Sequence, residues 1–314
     1  RTVGLVGFGM GGRTGARRLA GGEGRLLAYD PYVSDETMRE LGAEPAGLLH
    51  QVGASARDHG HALHLPRAER EHARRLPAGP LETPRHLVEE GAWVVLGATT
   101  DRAHQRAAEL GEAAIGAVAD LTVDGAAESV VAAAVDRWGR LDILVNNAGM
   151  TSQASGWDAD AEVASLSRAD WDAALARNLT TAFLMCRAAV PVMRAAGYGR
   201  IVSVGSTTGT VNAMPGQSTY TAAKAGLVGL SRALALEVVG DGVTVNVVAP
   251  GYISTGSQLE FEATAAAAGP IGRSGTPQEI AACVGFLAHE SASFVTGAVL
   301  VADGGHGIPE TWPV

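Results

Sequence analysis

Apolar positions along this chain follow two periods in turn. Short aliphatic and β-branched runs read as buried strands over residues 92–96, 114–118, 141–145, 200–204 and 243–248, because such runs bounded by Gly, Asn or Pro suit a strand covered on both faces. Between them, apolar residues three and four apart predict helices over 101–110 and 124–138. The same spacing predicts a helix capped by Asp170 and carrying Trp171, Leu175, Leu179, Phe183 and Leu184, and another from about residue 218 with Ala222, Ala223, Ala225, Leu227, Val228 and Leu230. Shorter helices are expected near 84–90 and up to His289. Apolar strands interleaved with helices are the pattern of an α/β fold, a doubly wound parallel sheet with helices on both faces.

The first thirty residues hold a compact version of that pattern. An apolar run (Val3, Leu5, Val6), the turn Gly7-Phe8-Gly9-Met10-Gly11-Gly12, a helical stretch over 13–20 and a second run ending at Asp30 predict strand, glycine turn, helix and strand. In a Rossmann-like unit Gly7 permits the tight turn, Gly9 lets backbone approach a pyrophosphate, Gly12 lets helix and strand pack, and Asp30 bonds a ribose hydroxyl. Residues 49–90 differ: Arg, His, Pro and Ala follow one another without a period. His50, His59, His61, His64, His72 and His86 fall here, but no carboxylate or cysteine completes a ligand set around His59, His61 and His64, so no metal site is expected. The organisation expected is an atypical βαβ segment over 1–48, an irregular linker or insertion over 49–90, and a main domain over 91–314.

Composition narrows the function. At 314 residues and 46% hydrophobic content the chain can build one large α/β core and a smaller module. A formal charge of −9 argues against a nucleic-acid partner, which calls for a basic face. No uninterrupted apolar run reaches the roughly 18 residues that span a bilayer, and the start resembles a strand and turn rather than a signal peptide. A cytoplasmic protein with no membrane partner is therefore expected, and the Arg1 start suggests a processed or trimmed product. Cys186 and Cys283 lie in apolar helical surroundings, which indicates neither a disulfide nor a zinc site.

The chemistry concentrates in residues 206–224. Ser206 follows a strand, at the end where open α/β sheets bind ligands, and Tyr220 and Lys224 stand four apart on one helix face. A free phenol titrates near ~10 and is a poor acid or base at neutral pH, but a neighbouring ammonium favours the phenolate. Tyr220 can then exchange a proton with a carbonyl or alcohol oxygen that Ser206 also holds. Tyr-x-x-x-Lys also occurs on ordinary helices. Here Ser206, Tyr220 and Lys224 resemble the active site of the classical short-chain dehydrogenase/reductase family, and further motifs over about 91–307 follow in family order.

The resemblance implies further roles. Asn146-Asn147-Ala148-Gly149 is similar to the family tetrapeptide whose amides brace the sheet and whose Ala148-Gly149 backbone, with Asn147, meets the cofactor. Asp120 matches an adenine-contacting Asp. Asn178 matches a helical Asn that disturbs the local backbone pairing and holds a water in a proton path to Lys224. Pro250, Gly251, Ile253 and Thr255 resemble the segment covering the nicotinamide, and residues 254–270 the substrate lid. The resemblance implies an NAD(P)-dependent enzyme interconverting a ketone, possibly a 3-oxoacyl group, and a secondary alcohol, assembled as a homodimer or homotetramer. In it Tyr220 is the acid/base, and Lys224 lowers the phenol pKa and holds the nicotinamide ribose. Thr99, Thr100 and Arg102, with no acid at the strand end, favour NADP over NAD, whereas Asp30 hints at NAD.

Three departures stand beside it. The family's opening strand and glycine loop are absent before Gly91, the interval from Ser206 to Tyr220 is one residue long for the family, and residues 2–41 instead resemble the nucleotide-binding start of D-2-hydroxyacid dehydrogenases. The later catalytic segments of that second family have no counterpart here. Two outcomes follow for residues 2–6. Either they insert as the missing central strand, placing Gly7, Gly9 and Gly12 beneath the pyrophosphate while 30–90 loop out, or 2–65 form a separate lobe. A catalytically silent scaffold of the same fold is the alternative function.

Overall fold

The computed structural model describes residues 82–149, 162–255 and 258–308, and the backbone of three short strands over 2–6, 25–29 and 44–45. The chain divides into two units, Arg1–Leu76 and Pro77–Val314.

In the first unit, β1 (Thr2–Val6) pairs in parallel with β2 (Arg25–Tyr29), Thr2 opposite Arg25 and Val6 opposite Tyr29, and β2 pairs with β3 (Glu44–Pro45). These strands form a sheet of their own, which corrects the expectation that residues 2–6 insert as the central strand of the main sheet. β2 is the nearest strand along the chain to β1, and nearby closures cost less entropy than distant ones. Gly7, Gly9, Gly12 and Asp30 lie outside the described residues.

The second unit is built on parallel strands. β4 (Val94–Ala98) pairs with β5 (Ala114–Val118). β6 (Ile143–Asn146), β7 (Gly199–Val204), β8 (Val243–Pro250) and β9 (Val299–Ala302) form a four-stranded sheet in that order. Parallel neighbours need crossover connections. α1 (Glu82–Glu89) precedes β4, and the connections between the strands carry α2 (Arg102–Leu110), α3 (Ala126–Trp138), α4 (Arg168–Leu175), α5 (Thr181–Ala196), α6 (Ser218–Val238), α7 (Glu260–Ala268) and α8 (Pro277–Ala288).

The alternation of side chains along β7 and β8 divides the core into two layers. Ile201, Val243 and Val245 pack with Leu144, Val130, Ala189, Met193 and Val238 beneath α3, α5 and α6. Val202 and Val248 pack with Val284, Leu287 and Ala288 of α8 on the opposite face. Among the described residues β4 and β6 are hydrogen-bonded on one side only, and Val94, Val95 and Leu96 are half-buried where the β7 and β8 residues are wholly buried.

Two strands start later than the apolar pattern indicates. β4 begins at Val94 because Trp93 turns out of line to stack on Trp138, ring centroids 5.8 Å apart. β6 begins at Ile143, after Asp142 accepts a two-pronged ion pair from Arg140 at 2.7 and 2.8 Å. The helix assigned to Asp170 is capped by Ser167, whose hydroxyl accepts from the Asp170 amide at 3.1 Å, so Asp170 sits in the first turn. The helical stretch Arg168–Ala196 is long and apolar enough to cross a bilayer, but Ala189 and Met193 are fully buried in the core beneath it.

Close approach of α2 to β5 gives a stability test. A Cβ on Gly116 would lie 2.5–2.6 Å from backbone atoms of Ala103 and His104, which cannot yield as a flexible side chain would. Gly116→Ala is expected to destabilise the second unit by about 1–3 kcal/mol, read as a lowered midpoint in thermal denaturation; an unchanged midpoint would show that α2 does not sit this close.

Candidate active site

Three strand ends assemble the site. β6, β7 and β8 terminate side by side at Asn146, Val204 and Pro250, the edge of an open parallel sheet where ligands bind. The register continues past β7, with Gly205 N–H donating to Val248 O at 2.7 Å and Thr207 N–H to Pro250 O at 2.9 Å, so Ser206 is fixed between two backbone anchors. The loop after it folds tightly: Thr207 O accepts from the amides of Thr210, Val211 and Asn212 at 2.8–3.1 Å. Gly209, at φ +93°, lies so near α6 that a Cβ would stand 2.6 Å from Thr221 O.

Tyr220 and Lys224 project from the first turns of α6 as their spacing predicts. The Ser206 hydroxyl lies close enough to the Tyr220 phenol to favour its ionised form, and it accepts from the Thr208 amide at 3.1 Å. The Lys224 ammonium lies over the Tyr220 ring, 5.5 Å from its centroid, and donates to Val204 O at 2.9 Å. Lys224 is buried, at 4% exposure.

The electrostatics differ from the sequence expectation. Burial pushes the Tyr220 phenol above its ordinary value, the Ser206 hydrogen bond opposes this, and the Glu262 carboxylate reinforces it. The expected lowering by Lys224 is absent. Its ammonium meets the ring face and the Val204 carbonyl, and burial lowers its own pKa to about 8, because desolvation disfavours the charged form.

Asn178 lies at the centre of a π-helical turn, Ala176–Thr180, between α4 and α5, the kind of bulge that accompanies functional sites. It is buried and donates to Ala174 O at 3.1 Å. Gly149 joins it to Lys224: a Cβ there would stand 2.8 Å from Asn178 Oδ1 and 3.2 Å from Lys224 Nζ, and φ is +153°, so glycine is needed for both space and backbone. Ser206, Tyr220, Lys224, Asn178 and Gly149 therefore converge.

The residues expected to meet a cofactor are spread along the same edge. Asn147, Ala148 and Gly149 are exposed after β6, while Asn146 turns inward and donates to Ser203 Oγ at 3.2 Å and Cys186 Sγ at 3.4 Å. Asp120 is exposed after β5; its carboxylate accepts from the Thr122 hydroxyl at 2.6 Å and amide at 3.0 Å, and these bonds hold it below the usual carboxylate range. Thr99 is exposed after β4. Gly251 packs on Asp303, and Ile253 bridges to Gly275, with the Thr255 amide donating to Ile253 O at 2.8 Å.

Sequence reasoning found the run Asp303-Gly304-Gly305 but not what the C-terminal turn touches. Asp303 accepts from the amides of Gly305 and Gly307 at 2.9 and 2.8 Å, and the His306 ring meets Tyr252 edge-on at 5.2 Å. The run Asp303-Gly304-Gly305 signals such a turn, but nothing local points to Tyr252.

Comparison with known proteins agrees with this geometry. A family model described as Enoyl-(Acyl carrier protein) reductase matches residues 81–306. The chain is 38% identical over 224 residues to the 3-oxoacyl-(acyl-carrier-protein) reductase FabG of Vibrio cholerae, covering 70% of this chain and 88% of that one. The FabG protein of Escherichia coli K12 gives the same identity and coverage. The cis-4-hydroxycyclohexanecarboxylate dehydrogenase of Sinomonas cyclohexanicum is 38% identical over 231 residues, covering 71% and 90%. The fold and the matches together define an oxidoreductase acting on CH–OH groups with a nicotinamide cofactor. This chain belongs to the short-chain dehydrogenase/reductase family.

The nicotinamide and ribose end of such a cofactor fits the residues present. Residues 147–149 are exposed, Gly149 lies beside Lys224, and the β8 end stands two strands along the same sheet edge. For the pyrophosphate, the residues that precede α1 lie outside the described residues.

The depressed Lys224 pKa has a measurable consequence. The unfolded chain keeps this proton up to about 10.5 and the folded protein only to about 8, so stability rises with pH between those values and is lost as pH falls through 8. The midpoint difference between wild type and Lys224→Met is expected to move in favour of wild type from pH 7.5 to 9.5, by about 2 kcal/mol. A constant difference would place the ammonium in water.

Proposed function

We propose that this enzyme interconverts a ketone and a secondary alcohol, with Tyr220 as the proton-transferring residue and NADP as the preferred cofactor. The buried Lys224 ammonium, 5.5 Å from the Tyr220 ring centroid and anchored on Val204 O at the strand end that leads into Ser206, is the observation that carries this. When bound, the cofactor supplies or accepts a hydride at the substrate carbon. In reduction, Ser206 holds the carbonyl oxygen and Tyr220 gives it a proton as negative charge develops there. A phenol kept above its ordinary pKa by burial is fully protonated at neutral pH, which suits a donor. Lys224 supplies positive potential beneath the ring, and Asn178 beside it provides a polar link between Lys224 and the π-helical turn. The names of the FabG relatives make a 3-oxoacyl thioester the first substrate to try.

Tyr220→Phe is expected to lower kcat by at least about 100-fold, the span typical of general acid catalysis, while cofactor binding followed by nicotinamide fluorescence changes less than about twofold. Near-normal turnover by this variant would defeat the assignment.

The NADP preference rests on the end of β4. Thr99 and Thr100 are exposed, and Arg102 opens α2 with its side chain in solvent, a donor set able to bind a ribose phosphate. A kcat/KM ratio favouring NADPH over NADH is expected, inverted or abolished by Arg102→Glu. A wild-type preference for NADH above about tenfold, some 1.4 kcal/mol, would overturn it.

A further inference from the structure

Ser206 opens a loop that is anchored at its root and folds back on itself. Thr207 N–H donates to Pro250 O at 2.9 Å, and the Thr210 hydroxyl donates to Ser206 O at 2.6 Å. Thr207 O in turn accepts from the Val211 amide at 2.8 Å, so Val211 is tied to the residue next to Ser206. The loop also aims the Ser206 hydroxyl, because the Thr208 amide donates to its Oγ at 3.1 Å. A shift of the backbone over 207–211 carries that donor away from the hydroxyl.

Val211 is exposed, yet its side chain has a fixed neighbour in the turn that follows β9. A Cβ on Gly307 would stand 2.7 Å from Val211 Cγ1 and 3.0 Å from Asp303 Oδ2, so backbone and side chain are already in contact there. Asp303 holds Gly307 in that place: Oδ2 accepts from the Gly307 amide at 2.8 Å, and Oδ1 accepts from the Gly305 amide at 2.9 Å. Backbone amides bond more strongly to a carboxylate than to a neutral oxygen. Asp303 is itself fixed against β8. Gly251 N–H donates to Ala302 O at 3.1 Å, and a Cβ on Gly251 would lie 2.7 Å from Asp303 Cβ. Asp303 thus joins the end of β8 to the Ser206 loop through a turn that belongs to neither.

We propose that Asp303 is a positioning residue for Ser206: by clamping the C-terminal turn it seats Gly307 against Val211 and so fixes the loop that orients the Ser206 hydroxyl. Asp303 acts without touching substrate, through Gly307, Val211 and the amide of Thr208. Val211 offers Gly307 only a methyl group, so the directional hold on Gly307 comes from the Asp303 carboxylate. Displacing a reacting group by about 1 Å is enough to slow a reaction by up to about 100-fold, which makes a remote clamp on this loop matter for rate. The proposal rests on Ser206 holding the substrate oxygen, as read above.

The test has one arm without substrate and one with it, both on the full chain. Hydrogen–deuterium exchange is followed by mass spectrometry over the Ser206 loop and over β7. Asp303→Ala is expected to speed exchange over 207–212 by at least about tenfold and to leave β7 unchanged, with Asp303→Asn, which keeps one acceptor oxygen, in between. Unchanged exchange in the loop would overturn the proposal. Turnover is measured with NADPH and acetoacetyl-coenzyme A. Gly307→Ala keeps both Asp303 bonds but pushes a methyl group against Val211; it is expected to lower kcat about tenfold, with thermal midpoint and NADPH affinity little changed, and Val211→Ala in the same chain to recover most of the loss. In Ser206→Ala protein, Gly307→Ala is expected to lose nothing further, because the group it displaces is gone. The same loss in both backgrounds, or no recovery with Val211→Ala, would overturn the proposal. Faster loop exchange in Asp303→Ala together with full turnover by Ser206→Ala, or with no turnover by the wild type, supports the clamp and defeats the reading of the site under which Ser206 holds this substrate.

Discussion

The active site depends on a single buried contact, the ammonium of Lys224 donating to the carbonyl of Val204. Taking an ammonium out of water is unfavourable by several kcal/mol unless it is hydrogen-bonded or paired, and here one main-chain oxygen and an aromatic face share that task. The carbonyl ends β7, so its position is set by strand pairing on both sides, and the lysine leaves the first turns of α6, so its position is set by the helix. This contact joins sheet to helix at the point of reaction. Gly149 closes the arrangement from β6, with room for neither a side chain nor another backbone conformation. Two strand ends and the helix α6 therefore supply one fixed element each, and the π-helical turn at Asn178 brings a fourth.

Much of this was legible in the sequence because its signals are local. Uninterrupted aliphatic runs such as Val243 to Val248 mark strands buried on both faces, and a spacing of four puts Tyr220 and Lys224 on one side of a helix. Ser206 was found because it follows such a strand. Illegible features share the opposite property. The direction of the Tyr220 pKa depends on how deeply α6 is covered, and sequence spacing reports a neighbour's charge but not whether that charge faces the hydroxyl or the ring. Val204 contributes through a carbonyl every residue has. The contact of His306 with Tyr252 joins segments some fifty residues apart, and Trp93 looked like part of a strand because its apolar ring does not reveal that it stacks outside one.

The N-terminal strands show the same competition between local and distant order. An aliphatic strand can satisfy its edge against any parallel partner, and a main sheet whose β4 and β6 are each hydrogen-bonded on one side offered a plausible one. The chain resolves it locally, with β1 against β2 within the first unit. Hydrogen bonds to a nearby strand are as good as those to a distant one and require less loop entropy, so pattern matching to a family sheet overestimated the reach of residues 2–6.

Burial of Tyr220 bears on the direction of the chemistry as well as on its rate. A general acid works best when it is protonated at the working pH and becomes easier to deprotonate as the reaction proceeds. Desolvation and the Glu262 carboxylate secure the first condition by raising the phenol pKa, and Ser206 and the positive potential of Lys224 serve the second as charge grows on the substrate oxygen. The reverse step needs a phenolate in the same low-dielectric setting, where the same carboxylate opposes it. Because Lys224 changes charge near pH 8 while burial holds the phenol above its ordinary value of 10, the positive potential beneath the ring weakens with Tyr220 still protonated, and the two groups titrate apart.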